Sequence, residues 1–265
     1  MSTIRQIYDT LFAAAPAYMK MDWDNVGLLC GHMDAPVTKV LVALDPMPDV
    51  LEEAKELGAE LIVTHHPLIF KPVSSVSDQD YDGKNILFLA ENRIAAINLH
   101  TNLDCAPGGV NDLLAQTLGL RDITVMEPMG TDSAGREYGL IRVGYVNQSS
   151  FLDFADTVLE RLRCPGVRLA DGGRPVHKVA VGGGACGSEI DAVLAHGCDT
   201  FVTADLKYNQ LQEACHRRIN LIDAGHFETE NPVCTYLAAL ICDSCPDVQV
   251  IVSEKHRGET QFLAK

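Results

Sequence analysis

The sequence has little positive charge and no long apolar run, and both absences narrow its function. It carries 21 Lys and Arg against 36 Asp and Glu, which gives a formal net charge of −15. Nucleic-acid binders need clustered Lys and Arg to contact phosphates, so we expect no nucleic-acid partner. No apolar run approaches the roughly 20 residues of a membrane-spanning helix, so we expect no membrane span.

The sequence also lacks the features of an exported or disulfide-bonded protein. Residues 1–9 are amphipathic and contain no continuous apolar run of a signal peptide. The nine cysteines are odd in number and scattered, without the spacing of a disulfide scaffold. We therefore expect a cytoplasmic protein with reduced thiols. The remaining composition, 47% hydrophobic and 22% charged over 265 residues, is that of a globular protein of one large domain or two small ones.

Strand and helix signals alternate along the chain. Short apolar runs, many of them β-branched, predict buried strands, and helical patterns lie between them. The predicted strands include 39–45, 59–64, 95–99, 138–146, 179–182, 200–203, 220–223 and 248–252. This order predicts an α/β fold with largely parallel sheets flanked by helices.

The two ends of the sequence resemble each other. Residues 53–64 and 192–203 share a helix–Gly–strand–Thr pattern, and residues 93–100 resemble 218–226 with one residue inserted. Each copy then places a carboxylate four residues after its His. We interpret this as a duplication that gives two similar lobes, related by a pseudo-twofold axis around a metal cleft. The predicted lobes are residues 1–120 and 121–265, with no large insertion between them.

Three segments that follow apolar strands carry metal-binding side chains. The first contains His65 and His66, the second ends at Asp104, and the third contains His226 with Glu228 and Glu230 as rival acids. Strand ends of an α/β sheet face a common crevice, so residues far apart in sequence can converge there. Imidazoles and carboxylates together suit Zn, Fe, Mn and Co alike. The pattern predicts a site for more than one metal ion.

Several neighbouring residues have more than one interpretation. His100 is a ligand, a second-sphere partner or a proton donor, and we favour a place beside the ions without direct ligation. Asp205 either supports the site or caps a helix that begins near residue 207. The segment 182–187, Gly-Gly-Gly-Ala-Cys-Gly, forms either an anion-binding nest or a tight turn. The loop 23–28 carries the single Trp of the sequence, which either lines the mouth of a cleft or only packs against neighbouring side chains.

Together these segments resemble the NIF-three-like dinuclear metal-centre proteins, often labelled "GTP cyclohydrolase 1 type 2 homologue". The matching motifs are Trp23–Leu28, Thr64–Leu68, His100–Asp104, Gly182–Ala185 and Gly225–Glu230, and they cover nearly the whole chain in the right order. The resemblance implies two similar α/β lobes, a dinuclear site and a toroidal homohexamer. The metal ligands that it implies are His65, His66, Asp104, His226 and Glu230, which favours Glu230 over Glu228. Cys105, directly after a ligand, would then be a candidate soft donor, and Cys186 departs from the family's Gly-rich loop.

The predicted function is metal-dependent hydrolysis of a small molecule, such as a nucleotide or a pterin-like heterocycle. Two divalent ions would activate water, and His100 would donate a proton to the leaving group. The family label implies hydrolytic opening of a purine ring. Two alternatives use the same ligands: a metal insertase or chaperone, and an interaction scaffold that metal stabilises.

Overall fold

The computed structural model describes residues 1–263, which divide into two compact units. The first unit contains Met1–Ala106 and Val233–Arg257, and the second contains Pro107–Pro232 and the described residues from Gly258 onward. Within these described residues, no helix combines the length and the apolar character needed to cross a bilayer. All nine cysteines are free thiols.

The elements alternate along the chain, as predicted for an α/β fold. The helices are α1 (Ile4–Ala14), α2 (Pro48–Leu57), α3 (Tyr81–Glu91), α4 (Thr101–Cys105), α5 (Val110–Thr117), α6 (Phe151–Leu162), α7 (Ile190–Ala195), α8 (Tyr208–Arg217), α9 (His226–Glu230) and α10 (Pro232–Ser244). The strands are β1 (Gly27–Cys30), β2 (Lys39–Ala43), β3 (Leu61–Thr64), β4 (Ala95–Asn98), β5 (Arg121–Val125), β6 (Gly130–Thr131), β7 (Glu137–Tyr138), β8 (Arg142–Ser149), β9 (Arg168–Ala170), β10 (Val176–Val181), β11 (Thr200–Thr203), β12 (Asn220–Asp223) and β13 (Gln249–Val252).

Local sequence signals set several helix ends. Thr3 caps α1 in a reciprocal capping box with Gln6, and the side chains of Asp80 and Ser150 accept backbone amides at the starts of α3 and α6. Gly58 ends α2 in the left-handed conformation with φ 66°. The three N-terminal caps fix where α1, α3 and α6 begin, and Gly58 fixes where the chain leaves α2 before β3.

The first unit is built on a five-stranded sheet in the order β1-β4-β3-β2-β13. Strands β13, β2, β3 and β4 run parallel, and β1 lies antiparallel to β4. The register pairs Ala43 with Thr64 and Thr64 with Asn98. Because the parallel strands end level with one another, the residues that follow β2, β3 and β4 emerge along one edge of the sheet.

The second unit is built on a six-stranded sheet in the order β5-β8-β10-β11-β12-β9. Strands β10, β11 and β12 are parallel, whereas β9 is antiparallel to β12 and β8 is antiparallel to β10. Helix α6 covers one face, where Phe154 and Val158 pack into a core that includes Val179 and Val202. On the other face Phe201 is fully buried.

The two sheets share a common four-stranded arrangement. In the first unit this is β1-β4-β3-β2, and in the second it is β9-β12-β11-β10, with three parallel strands and one antiparallel edge in each case. The equivalent strands also come in the same chain order. The prediction of two similar α/β lobes is therefore confirmed at the level of topology, while the pseudo-twofold relation stays a prediction.

The structure differs from the sequence-based expectation in three places. The division into units is not at 120/121, because β13 pairs with β2 and returns residues 233–257 to the first unit. Gly27 and Leu28, expected in a loop, begin the edge strand β1. The single strand expected at 138–146 is broken after Tyr138, because the chain changes partners from β6 to β10.

Candidate metal centre

Two histidines follow β3 directly and are held by different oxygen atoms. His65 is fully buried, and its Nδ1 donates to the carbonyl oxygen of Leu99 at 2.8 Å. His66 Nδ1 donates to Asp45 Oδ1 at 2.6 Å. The hydroxyl of Thr64 donates to the carbonyl of His66, so the chain turns where the strand ends. The two rings therefore lie near each other, with centroids 5.0 Å apart, although they are adjacent in sequence.

His100 joins this pair from the end of β4. Its ring centroid lies 5.3 Å from that of His65 and 5.5 Å from that of His66. Its Nδ1 donates to Asp24 Oδ1 at 2.7 Å, while the amide of Thr101 donates to Asp24 Oδ2 at 2.9 Å. Burial of Asp24 opposes its ionisation, but the hydrogen bonds from His100 and Thr101 outweigh it and lower the pKa to about 2. Asp24 is thus a carboxylate that holds the His100 ring.

The three imidazoles share one pattern of support. Each donates Nδ1–H to an oxygen, so Nε2 carries the lone pair that a metal ion requires. Ligand nitrogens of His65, His66 and His100 all lie within 4.8 Å of one another. These three side chains could hold a metal ion, so the geometry permits His100 to be a ligand as well.

Asp104 adds a carboxylate to the same cluster. It is buried on α4, and its Oδ1 lies 3.5 Å from Nε2 of His65. Two ligands at about 2.1 Å from one ion, at a tetrahedral angle, are about 3.4 Å apart. The observed spacing therefore fits two atoms that share an ion.

Sequence reasoning missed two residues that support His66. Asp45 follows β2, and besides His66 it contacts His256, whose Nε2 lies 3.4 Å from Asp45 Oδ2. Burial opposes ionisation of Asp45, but its hydrogen bonds to His256 and His66 hold its pKa well below the usual range. Asp45 could have been suspected from its place at a strand end. His256 lies 211 residues away and carries no local signal.

The second unit holds an imidazole–carboxylate pair on α9. His226 Nε2 lies 3.1 Å from Oε2 of the buried Glu230, one helical turn away. His226 Nδ1 donates to Asp205 Oδ2 at 2.7 Å. Asp205 therefore supports the His226 ring, and its alternative role as a helix cap is wrong because α8 begins after Lys207. Among the described residues, the groups of side chains that could hold a metal ion include Glu230 and do not include Glu228.

The Gly-rich segment of this unit is a tight turn beside the pair. The amide of Gly183 donates to Asn111 Oδ1, and the amide of Gly184 donates to Thr229 Oγ1. Because these amides are used within the protein, the structure favours the tight-turn interpretation over the anion nest. At Gly184, φ is +63°, and a Cβ would meet the Glu230 carboxylate. The glycine lets the backbone approach the pair.

Two cysteines singled out in the sequence take no part in these groups. Cys186 is buried, and its Sγ donates to the carbonyl of Gly183 at 3.2 Å. Cys105 is fully buried at the end of α4. Among the described residues, neither belongs to a group of side chains that could hold a metal ion.

Fold and side chains together define a class: an α/β protein whose parallel strands end in imidazole and carboxylate groups that could bind metal. A match to the family model described as Duf34/NIF3 (NGG1p interacting factor 3) extends over residues 2–258. The chain belongs to the DUF34/NIF3 family, as the resemblance in sequence predicted.

Individual relatives agree with this assignment. The chain is 32% identical over 263 residues to "GTP cyclohydrolase 1 type 2 homolog" of Clostridium perfringens, covering 98% of this chain and 99% of the relative. It is 38% identical over 244 residues to the protein of the same name from Streptomyces coelicolor, covering 90% and 85%. The crystal structure of a Bacillus cereus protein related to NIF3 superposes with a TM-score of 0.89 at 25% identity, covering 99% of each chain.

Proposed function

We propose that this protein is a metal-dependent hydrolase with two divalent ions, held by His65, His66, Asp104, His226 and Glu230. One observation carries the proposal: in each unit an imidazole nitrogen and a carboxylate oxygen, 3.5 Å and 3.1 Å apart, have the spacing of ligands to a common ion. Each imidazole is also fixed through Nδ1 by an oxygen, as is usual for metal-binding histidines.

The chemistry that follows is activation of water. When bound, the ions would supply the Lewis acidity that makes water a nucleophile near neutral pH and polarises the bond under attack. His100 holds a proton on Nδ1 toward Asp24 and directs Nε2 away from it. With Nε2 protonated, His100 would donate that proton to the leaving group, and the charge of Asp24 would stabilise the imidazolium.

The proposed substrate is a small molecule, either a nucleotide or a related heterocycle. Support comes from the name "GTP cyclohydrolase 1 type 2 homolog" carried by relatives that match nearly the whole chain. We also propose a cytoplasmic homohexamer that binds no nucleic acid. Sedimentation velocity would test the assembly, since a hexamer of 28.8 kDa chains differs clearly from a monomer or dimer.

The activity is tested by turnover. Protein purified without chelators is screened against nucleotides, pterins and phosphoesters. We expect hydrolysis of one such class, which His66→Ala abolishes and His216→Ala, at an exposed position of α8, leaves intact. His100→Gln should lower turnover and keep the metal.

Three results would count against the proposed activity or the proposed residue roles. One is normal turnover by His66→Ala. Another is loss of metal from His100→Gln, which would make His100 a ligand. The third is no turnover of any compound together with rapid release of the ion to an apo-acceptor, which would favour metal insertion instead.

A further inference from the structure

The first unit exposes two large aromatic side chains beside His100. Trp23, the single tryptophan of the sequence, is 63% exposed, and Phe70 is 46% exposed. Their ring centroids lie 6.2 Å and 6.0 Å from that of His100 and 5.8 Å from each other. Scattered exposed apolar residues are ordinary, but two aromatic rings grouped at a candidate active site indicate a ligand.

The three rings stand nearly perpendicular to one another. The planes of Trp23 and Phe70 meet at 72°, those of Trp23 and His100 at 71°, and those of Phe70 and His100 at 80°. A flat ring that stacks on one of them would therefore be nearly perpendicular to the other two, which is the orientation of an edge-to-face contact. Both stacked and edge-to-face contacts are favourable between aromatic rings.

The exposed rings stand on fixed backbone. Asn25 Nδ2 donates to the carbonyl of Ile69 at 2.6 Å, which ties the loop of Trp23 to the loop of Phe70. Asp24, next to Trp23, is buried and accepts from Thr101 and His100. The hydrogen bonds therefore fix the backbone on either side of the two aromatic residues, which lowers the ordering cost of binding a ligand there.

We propose that Trp23 and Phe70 form a binding corner for a planar heteroaromatic ring and select substrates that carry one. This inference rests on the proposed small-molecule function and narrows its substrate class. The contacts are stacking and edge contacts, so the corner would accept a purine or a pterin and would discriminate poorly between them. His100 would then face the ring or the bond attached to it.

Fluorescence of the single tryptophan tests the proposal without requiring turnover. Protein as purified is titrated with GMP, a pterin and ribose 5-phosphate, and the emission of Trp23 is recorded. We expect saturable quenching by GMP and the pterin and none by ribose 5-phosphate, which has the phosphate and sugar without the base. Phe70→Leu, which keeps an apolar side chain and removes the ring, should weaken GMP binding about fivefold or more.

Tyr145→Leu is the matched control. Tyr145 is also a partly exposed aromatic beside a histidine, with its centroid 5.4 Å from that of His177, but it lies on β8 of the second unit and belongs to none of the groups of described residues that could hold a metal ion. The Tyr145→Leu variant should bind GMP as tightly as the wild type does. Equal loss in this variant, or unchanged GMP affinity in Phe70→Leu, would overturn the proposal.

Two further outcomes would overturn it. One is the absence of quenching by both ring compounds. The other is a Trp23 emission maximum that lies at short wavelength and shifts to longer wavelength on dilution. That result would mean that another copy of the chain covers the rings. Ring binding without any hydrolysis would contradict the hydrolase alone, whereas hydrolysis of a ring-free substrate without ring binding would contradict the aromatic corner alone.

Discussion

Replacing Asp24 by Asn should destabilise the first unit and release the His100 ring. Asp24 is only 6% exposed and accepts from Thr101 N, Thr101 Oγ1 and His100 Nδ1 at 2.9, 2.5 and 2.7 Å. An amide offers one accepting oxygen, so its NH2 group would face at least one of these donors. A buried donor left without an acceptor costs about 1–3 kcal/mol.

The pKa of Asp24 gives a second estimate of the same interactions. The carboxyl has a pKa of about 2 in the folded chain against 3.8 ordinarily, a difference worth about 2 kcal/mol of folding free energy. Because the folded pKa is lowered, this contribution is fully present above pH 3.8 and is lost as pH falls toward 2. Both estimates describe the same hydrogen bonds and are not added, so we expect Asp24→Asn to lower the free energy of unfolding by about 2 kcal/mol at pH 7.

Urea unfolding of chelator-treated protein measures this loss. It should be present at both pH 7 and pH 5, since both lie above 3.8, and it should shrink at pH 3. Asp22→Asn is the control, because Asp22 is exposed two residues away, and it should change stability by less than about 0.5 kcal/mol. A loss below about 1 kcal/mol at pH 7 for Asp24→Asn, or an equal loss in the control, would refute the reasoning.

Two further predictions concern a glycine and the thiols. Gly184→Ala should lose metal because the added Cβ would meet the Glu230 carboxylate. Gly58→Ala is the control: it has the same backbone strain, with φ 66°, but nothing lies within 4 Å of its Cβ, so it should keep metal. Elemental analysis of both variants measures this, and equal metal contents would contradict the steric argument. Burial raises the pKa of Cys198 to about 11, whereas Cys215 is exposed. At pH 8 iodoacetamide should therefore modify Cys215 and spare Cys198 until the protein unfolds. Equal modification rates of the two thiols, measured by mass spectrometry, would contradict this.

Features that depend on local pattern could be predicted from the sequence. The strands β2, β3 and β4 are almost continuous apolar runs, and their burial on both faces follows from that pattern. Parallel strands that end level then bring His65, His66 and His100 to one edge. The i, i+4 spacing of His226 and Glu230 likewise predicts their contact on a helix.

Features that depend on distant pairing could not be predicted. Asp24 lies 76 residues from His100, and Asp45 lies 211 residues from His256. Each contact exists because of a strand register and a loop path that no local pattern specifies. The return of β13 to the first sheet has the same origin, since an apolar strand does not encode which sheet it joins.

The central claim is that five side chains hold two ions, and the metal content of the protein tests it most directly. Elemental analysis of wild-type protein purified without chelators should give two divalent ions per chain, and His66→Ala and Glu230→Gln should each lose at least one. His216→Ala should keep both. Unchanged metal content in His66→Ala and Glu230→Gln, with both variants folded, would contradict the account.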